Sequence, residues 1–222
     1  MTPPRGLVLM ACIWIFASWA ICIGLRPPVA SSLASLAPGV RRMAASLAVG
    51  LCAGWPLLRL SGPRERWPIM RVLVDLLTLA YLTQVVLWPL RLATPWPPER
   101  LALMDALLFG WALVVGAITA AASRSSDGRA RATAMAACLI ICVLGLPMGV
   151  GAASLGLAEP PIWLQGPVLA VLTLGSESGS LTLKDPWSGA IAVAASGVIA
   201  MLAAWRWSRR MDRLVAAPHP HG

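Results

Sequence analysis

The chain has 222 residues, of which 58% are hydrophobic and 12% charged, and its mean hydropathy is +0.75. A soluble domain carries about 25% charged residues, so a water-soluble globule is excluded. The net charge is +9, but the basic residues sit almost wholly between apolar runs, a spacing that speaks for membrane orientation and against nucleic-acid binding.

A bilayer core takes about 20 apolar residues as a helix. Runs of that length, closed by Arg, Pro, Gly or Trp, occupy residues 7–25, 43–60, 69–90, 101–122, 134–157 and 187–207. Lipid offers the backbone no hydrogen-bonding partner, so each run must be helical, or shielded where a proline breaks it; Pro56 and Pro147 mark the expected kinks. The first run follows Arg5 and precedes the small residues Ala30, Ser31 and Ser32, as a signal peptide would. Its length and its Trp14 and Trp19 favour an uncleaved anchor instead. Between the fifth and sixth runs, Pro160 and Pro161 lead into a mostly apolar stretch over 162–174 and a Gly/Ser-rich stretch over 175–180. That stretch is too short to cross, so it is expected to lie on the outer surface or to dip in as a re-entrant piece. The predicted fold class is therefore all-α, a polytopic membrane bundle of six transmembrane helices with a short re-entrant or interfacial segment between helices five and six. It forms a single domain over 1–215, followed by a disordered tail at 216–222.

Arginine placement gives the orientation. Arg5, Arg59, Arg64, Arg66, Arg71, Arg124, Arg129, Arg131, Arg206, Arg209, Arg210 and Arg213 fall on one side, twelve in all, against six on the other: Arg26, Arg41, Arg42, Arg91, Arg100 and Lys184. The positive-inside bias then puts both termini in the cytoplasm and the chain in the inner (plasma) membrane as a multi-pass protein. Trp67, Trp205 and Trp207 fall at the inner interface, and Trp88, Trp96, Trp163 and Trp187 at the outer one, where an indole N–H stays wet.

Small residues recur every fourth position, so each set shares one helix face: Ser46, Gly50 and Gly54; Ala112, Gly116 and Ala120; Gly145, Gly149 and Ala153; Ser188, Ala192, Ser196, Ala200 and Ala204. Such faces let backbones approach and gain van der Waals contact, either inside one bundle or across a homodimer. Asp75 and Asp105 are the ionisable candidates inside the spans. Both stand near helix N-termini, where the dipole favours a carboxylate, and Asp75 can pair with Arg71; ion or proton coupling is the alternative role. Thr78, Tyr81, Gln84 and Trp88 fall within a sector of about 120° and form the most polar intramembrane stripe. They either line a substrate path or bond to a neighbouring helix.

Histidine occurs only at 219 and 221, which removes paired-His haem ligation, Ser–His proteolysis and His-ligated metal sites. The five cysteines, Cys12, Cys22, Cys52, Cys138 and Cys142, all lie in apolar stretches where a thiol behaves as a small hydrophobe. No disulfide framework, metal, cofactor or catalytic activity is expected. The run from Asp127 through Gly128, Arg129 and Ala130 to Arg131 resembles the opening of the CDP-alcohol phosphatidyltransferase signature. The two later aspartates of that signature are missing from 137–146, and an Asp-Gly turn in a basic loop explains the match.

In the order of its features the chain resembles the ABC-2 type permeases, and within them the haem exporter B family. Ile23 and Gly24, followed by Leu36, Ala37, Pro38, Gly39 and Val40, look like that family's outer loop; residues 129–149, basic and then apolar with Pro147, look like its fifth helix; residues 162–174 occupy the place of its re-entrant hairpin. The resemblance implies a permease subunit in the lipid bilayer working with a separate ATP-binding cassette subunit, whose contact would fall on the loop 61–68 around Glu65. Two other readings stay open: a noncatalytic membrane assembly or anchoring protein, and a lipid-modifying enzyme using Asp75, Asp105 or Asp127.

Overall fold

Six helices among the described residues are long and apolar enough to cross a membrane: Arg5–Cys22, Leu36–Leu60, Pro68–Leu87, Pro98–Ser123, Gly128–Gly151 and Trp187–Arg210. Each overlaps one of the six apolar runs, so the chain is a multi-pass membrane protein by the length and composition of its helices. The computed structural model describes residues 5–24, 33–63, 68–94, 96–156, 161, 164–176 and 186–216. In chain order the α-helices are α1 (Arg5–Cys22), α2 (Leu33–Val49), α3 (Trp55–Leu60), α4 (Pro68–Leu87), α5 (Pro98–Ser123), α6 (Gly128–Val143), α7 (Gly145–Ser154), α8 (Gly166–Leu174) and α9 (Pro186–Ala216). No strand occurs among the described residues.

The second span is longer than the apolar run suggests. Its helix starts before Arg41 and Arg42, so Leu36 to Val40, which look like loop in the sequence, are helical. Arginine stems are apolar enough to extend a helix toward the membrane surface. Between α2 and α3 the helix widens into a π segment, Gly50–Gly54, in which the Trp55 N–H donates to the Gly50 carbonyl five residues back. Pro56 explains the widening: it has no N–H to give, and its ring would strike the carbonyl four residues earlier in a regular helix.

The fifth span divides into α6 and α7 at Leu144, where the backbone stays right-handed helical and the Leu144 N–H still donates to the Ile140 carbonyl at 2.7 Å. Pro147 has no N–H to give the Val143 carbonyl four residues earlier, which places the boundary upstream of the proline. The chain returns to a short helix, α8, with Gly166, Pro167, Val168, Ala170, Val171 and Leu174 buried against α2, α5, α6 and α7. Gly166 enters it at φ +68°, a left-handed conformation that glycine alone adopts without strain. The expected outer loop residues Trp163 and Lys184, the inner Trp67, and the tail at 217–222 lie outside the described residues; α9 itself extends to Ala216.

The tightest helix pair is α5 with α9, which run parallel at a constant offset. Gly110 meets Ala194, Leu113 meets Gly197, and the Arg124 guanidinium donates to the Ser208 carbonyl at 2.9 Å. A methyl group on Gly197 would stand 2.7 Å from Leu113 Cβ and 2.9 Å from the Gly110 carbonyl oxygen, so backbone contact defines this seam. Around it lie two buried apolar clusters. One joins Ala44, Ala48, Cys52, Trp55, Leu76, Val115, Cys138, Cys142 and Val171, and the other joins Val40, Met43, Leu87, Trp96, Met104, Leu107, Ala170 and Val193. Helix α1 is an exception, with Ser18 its only buried residue.

Candidate functional site

Asp75 stands two turns into α4 and is 1% exposed. Its Oδ2 is 3.2 Å from Arg59 Nε and accepts a hydrogen bond from Trp55 Nε1 at 3.4 Å, while Arg71 Nε lies 3.9 Å from Oδ1. The expected pairing with Arg71 is present but long. The closer cation, Arg59, comes from the end of α3. Gly6, Leu7, Met10, Leu58, Trp55, Arg59 and Asp75 line a cleft of about 270 Å³ at this end of the bundle.

Asp105 and Gln84, singled out separately in the sequence, meet: Gln84 Nε2 donates to Asp105 Oδ1 at 2.6 Å, joining α4 to α5. The other three residues of the stripe do something else. Thr78 donates to the Val74 carbonyl of its own helix at 2.8 Å, and Tyr81 and Trp88 point outward, 71% and 42% exposed. Gln84 is nine residues beyond Asp75, or about 13 Å along a helix axis, too far for the two carboxylates to act on one group. Asp127 caps α6 by accepting from the Arg129 N–H at 2.9 Å. Among the described residues no group of three or more His, Cys, Asp or Glu could hold a metal ion.

The irregular parts of the bundle come together at its middle. The π segment packs against α6, with Cys52 and Cys142 buried in one cluster, and the start of α8 presses on the α6–α7 boundary in the fifth span. A Cβ on Gly145 would stand 1.3 Å from the Gln165 carbonyl oxygen, and one on Gly149 2.8 Å from Leu169 Cδ2. Gln165, 2% exposed, is the buried polar side chain at this junction. The remaining small residues divide. Gly50 faces the Trp14 indole and Gly116 faces Leu76, whereas Gly54 meets only its own helix backbone. Ser196 is exposed, with its hydroxyl on the Val193 carbonyl; the packed face of α9 carries Gly189, Ala190, Val193, Gly197 and Met201.

At the same end of the bundle as Asp75, Arg131 ties three segments. Its guanidinium donates to the Gly62 carbonyl at 2.8 Å and to Leu60 at 3.4 Å, and its Nε to Ser125 at 3.1 Å. Sequence reasoning used Arg59 and Arg131 only as orientation markers and did not find Gly110, Gly197 or Gln165. Gly189, Val193 and Gly197 recur every fourth residue too, a signal overlooked beside the Ser188 ladder. The chain matches no protein-family model, no curated protein and no solved structure.

Proposed function

We propose that this chain is a noncatalytic, permease-like subunit of a membrane transport system, working with a separate ATP-hydrolysing partner. One observation carries the reading: the two spans that proline disturbs, at the π segment Gly50–Gly54 and at the α6–α7 boundary, adjoin each other through α6, and the short helix α8 packs on α6, α7 and α2. Spans whose regular helical bonding is disturbed away from the membrane surface support a translocation site there, because freed backbone carbonyls gather at such positions. In this reading α8 is a re-entrant helix entering from the outer side. A Cβ on Gly175, at its C-terminal end, would stand 3.0 Å from Arg41 Cγ and 3.3 Å from the Trp96 ring, and these are residues of the six-arginine side. Both termini are then cytoplasmic, and the loops joined by Arg131 present the surface on which an ATPase would press. Rigid-body rocking of α6, α7 and α8 against the α5–α9 seam supplies the motion.

The test is co-purification from mild detergent followed by flux in proteoliposomes. The proposal expects a nucleotide-hydrolysing subunit to accompany the chain and solute movement to depend on ATP. Absence of any such subunit in repeated extractions overturns it. A second reading, a noncatalytic assembly or anchoring protein, is favoured by the exposed small residues Ser188, Ala192 and Ser196 on α9. It expects Ser196→Leu to abolish a complex with another membrane subunit while no flux is measurable.

A further inference from the structure

Helix α9 is longer than the membrane it crosses. Its 31 residues span about 46 Å at about 1.5 Å per residue, against a hydrocarbon core of about 30 Å. Counted from Trp187, which is exposed at the other interface, about 30 Å of helix ends near Trp207. The side of α9 packed on α5 carries Val193, Gly197 and Met201, and Ser208 continues it through its bond to Arg124. Nearly opposite, within a sector of about 100°, stand Ile191, Ile199 and Leu202, followed by Arg206, Arg209 and Arg210. All six are exposed. One outward face is therefore apolar as far as Leu202 and basic from Arg206 on, and the change falls where the helix leaves the hydrocarbon. Trp205 and Trp207, both exposed, flank the basic stripe on its two sides, as indoles do at a membrane interface.

We infer that this stripe binds the headgroups of anionic phospholipids, with phosphates on Arg206, Arg209 and Arg210 and acyl chains against Ile199 and Leu202. Three positive charges share the face, and the one acidic position nearby in the chain, Asp212, falls about 110° from the centre of the stripe. Among the described residues no carboxylate or hydrogen-bond acceptor meets these three side chains, so their donors are open to phosphate oxygens. Arg209 is held at the interface by the Trp205 ring, whose centre lies 4.0 Å from its guanidinium carbon, a contact that uses no oxygen acceptor. On the opposite side of the helix the Arg124 guanidinium grips the Ser208 carbonyl at 2.9 Å, which fixes the rotation of this end of α9 and keeps the stripe turned outward. Continuity with the apolar face selects a lipid rather than an acidic protein: the occupant must offer hydrocarbon at Leu202 and negative charge about one turn later, which is the profile of an anionic leaflet. The site is independent of the transport reading and would serve an assembly protein equally well.

The experiment reconstitutes the full chain in phosphatidylcholine vesicles containing a trace of spin-labelled phosphatidylglycerol or spin-labelled phosphatidylcholine, and reads the fraction of label immobilised by the protein. An arginine beside an anionic surface gains about fivefold in association, and with screening the three together are expected to favour phosphatidylglycerol by about tenfold. R206Q/R209Q/R210Q is expected to bring that preference below about twofold. The charge-matched variant R5Q/R42Q/R129Q, which removes three exposed arginines elsewhere, is expected to keep most of it. Equal association of the two lipids in the parent chain overturns the inference and leaves the stripe to an acidic protein surface. Equal loss in the two triple variants also overturns it, because the preference then belongs to the net charge and not to the stripe. If the first triple variant does not insert, R206Q/R210Q, which spares the Arg209–Trp205 contact, decides against R5Q/R129Q by the same criterion.

Discussion

Asp75 is the position at which a small chemical change meets the largest electrostatic consequence. Replacing it with Asn keeps the shape and removes the negative charge that faces Arg59 at 3.2 Å. With an effective dielectric constant of about 20, two unit charges at that distance attract by about 5 kcal/mol before desolvation is counted. The Arg59 side chain is 16% exposed and Asp75 1%, so the cation left behind is largely shut off from water. Removing one partner of such a pair costs about 3 kcal/mol, the lower part of the range for buried pairs. Arg71, farther away and 30% exposed, contributes under about 1 kcal/mol. Unfolding in mixed micelles, followed by far-ultraviolet circular dichroism, should therefore show D75N destabilised by about 3 kcal/mol, R59Q by about 2, and the double variant by about 3 rather than 5. The implied coupling is about 2 kcal/mol. A double variant whose loss equals the sum of the single losses to within about 0.5 kcal/mol refutes the pairing, and so does a D75N variant as stable as the parent.

Three further outcomes are expected. G145A should displace α8, because the added carbon would overlap the Gln165 carbonyl at 1.3 Å and neither partner is a flexible side chain; a cysteine placed at Val171, buried here, should become reactive to a thiol reagent in that background and stay protected otherwise. G197L should part α5 from α9 and cost more than about 3 kcal/mol, whereas Ser196→Leu, one residue away and outward, should change monomer stability by less than about 0.5, both read in the same micelle titration. Q84L should lower stability by about 1–2 kcal/mol by leaving Asp105 without its 2.6 Å donor, and Q84L/D105L should recover most of that loss; failure to recover contradicts the pairing of α4 with α5.

The six spans were legible because their signal is local: about 20 apolar residues closed by Arg, Pro or Trp need no partner to be recognised. What sits between and across spans was less so. The sequence suggested a boundary at Arg41 and Arg42, but the helix carries both arginines and extends back to Leu33, because hydropathy marks where lipid contact ends and not where backbone hydrogen bonding ends. Pro56 and Pro147 were both readable as kinks, yet the π segment precedes one and the α6–α7 boundary at Leu144 precedes the other, since proline disturbs the turn before it. On α9 two ladders of small residues compete, one through Ser196 and one through Gly197. Only the glycine and leucine of α5 opposite, Gly110 and Leu113, decide which packs. The Gln84–Asp105 bond and the Arg59–Asp75 pair likewise join residues far apart in sequence, which spacing along one helix cannot reveal.

Membrane topology tests the six crossings most directly. With the five native cysteines replaced by alanine, single cysteines at Gly62, Ser126, Thr94 and Ser176 would be labelled from outside intact cells with a membrane-impermeant thiol reagent. Gly62 lies 2.8 Å from Arg131, which also contacts Ser125, so Gly62 and Ser126 should both be protected until the membrane is breached. Thr94 and Ser176 belong to the opposite end and should label, Thr94 after local opening because it is buried. Labelling of Gly62 and protection of Ser126 in the same cells, or the reverse, contradicts an even passage of the chain between them.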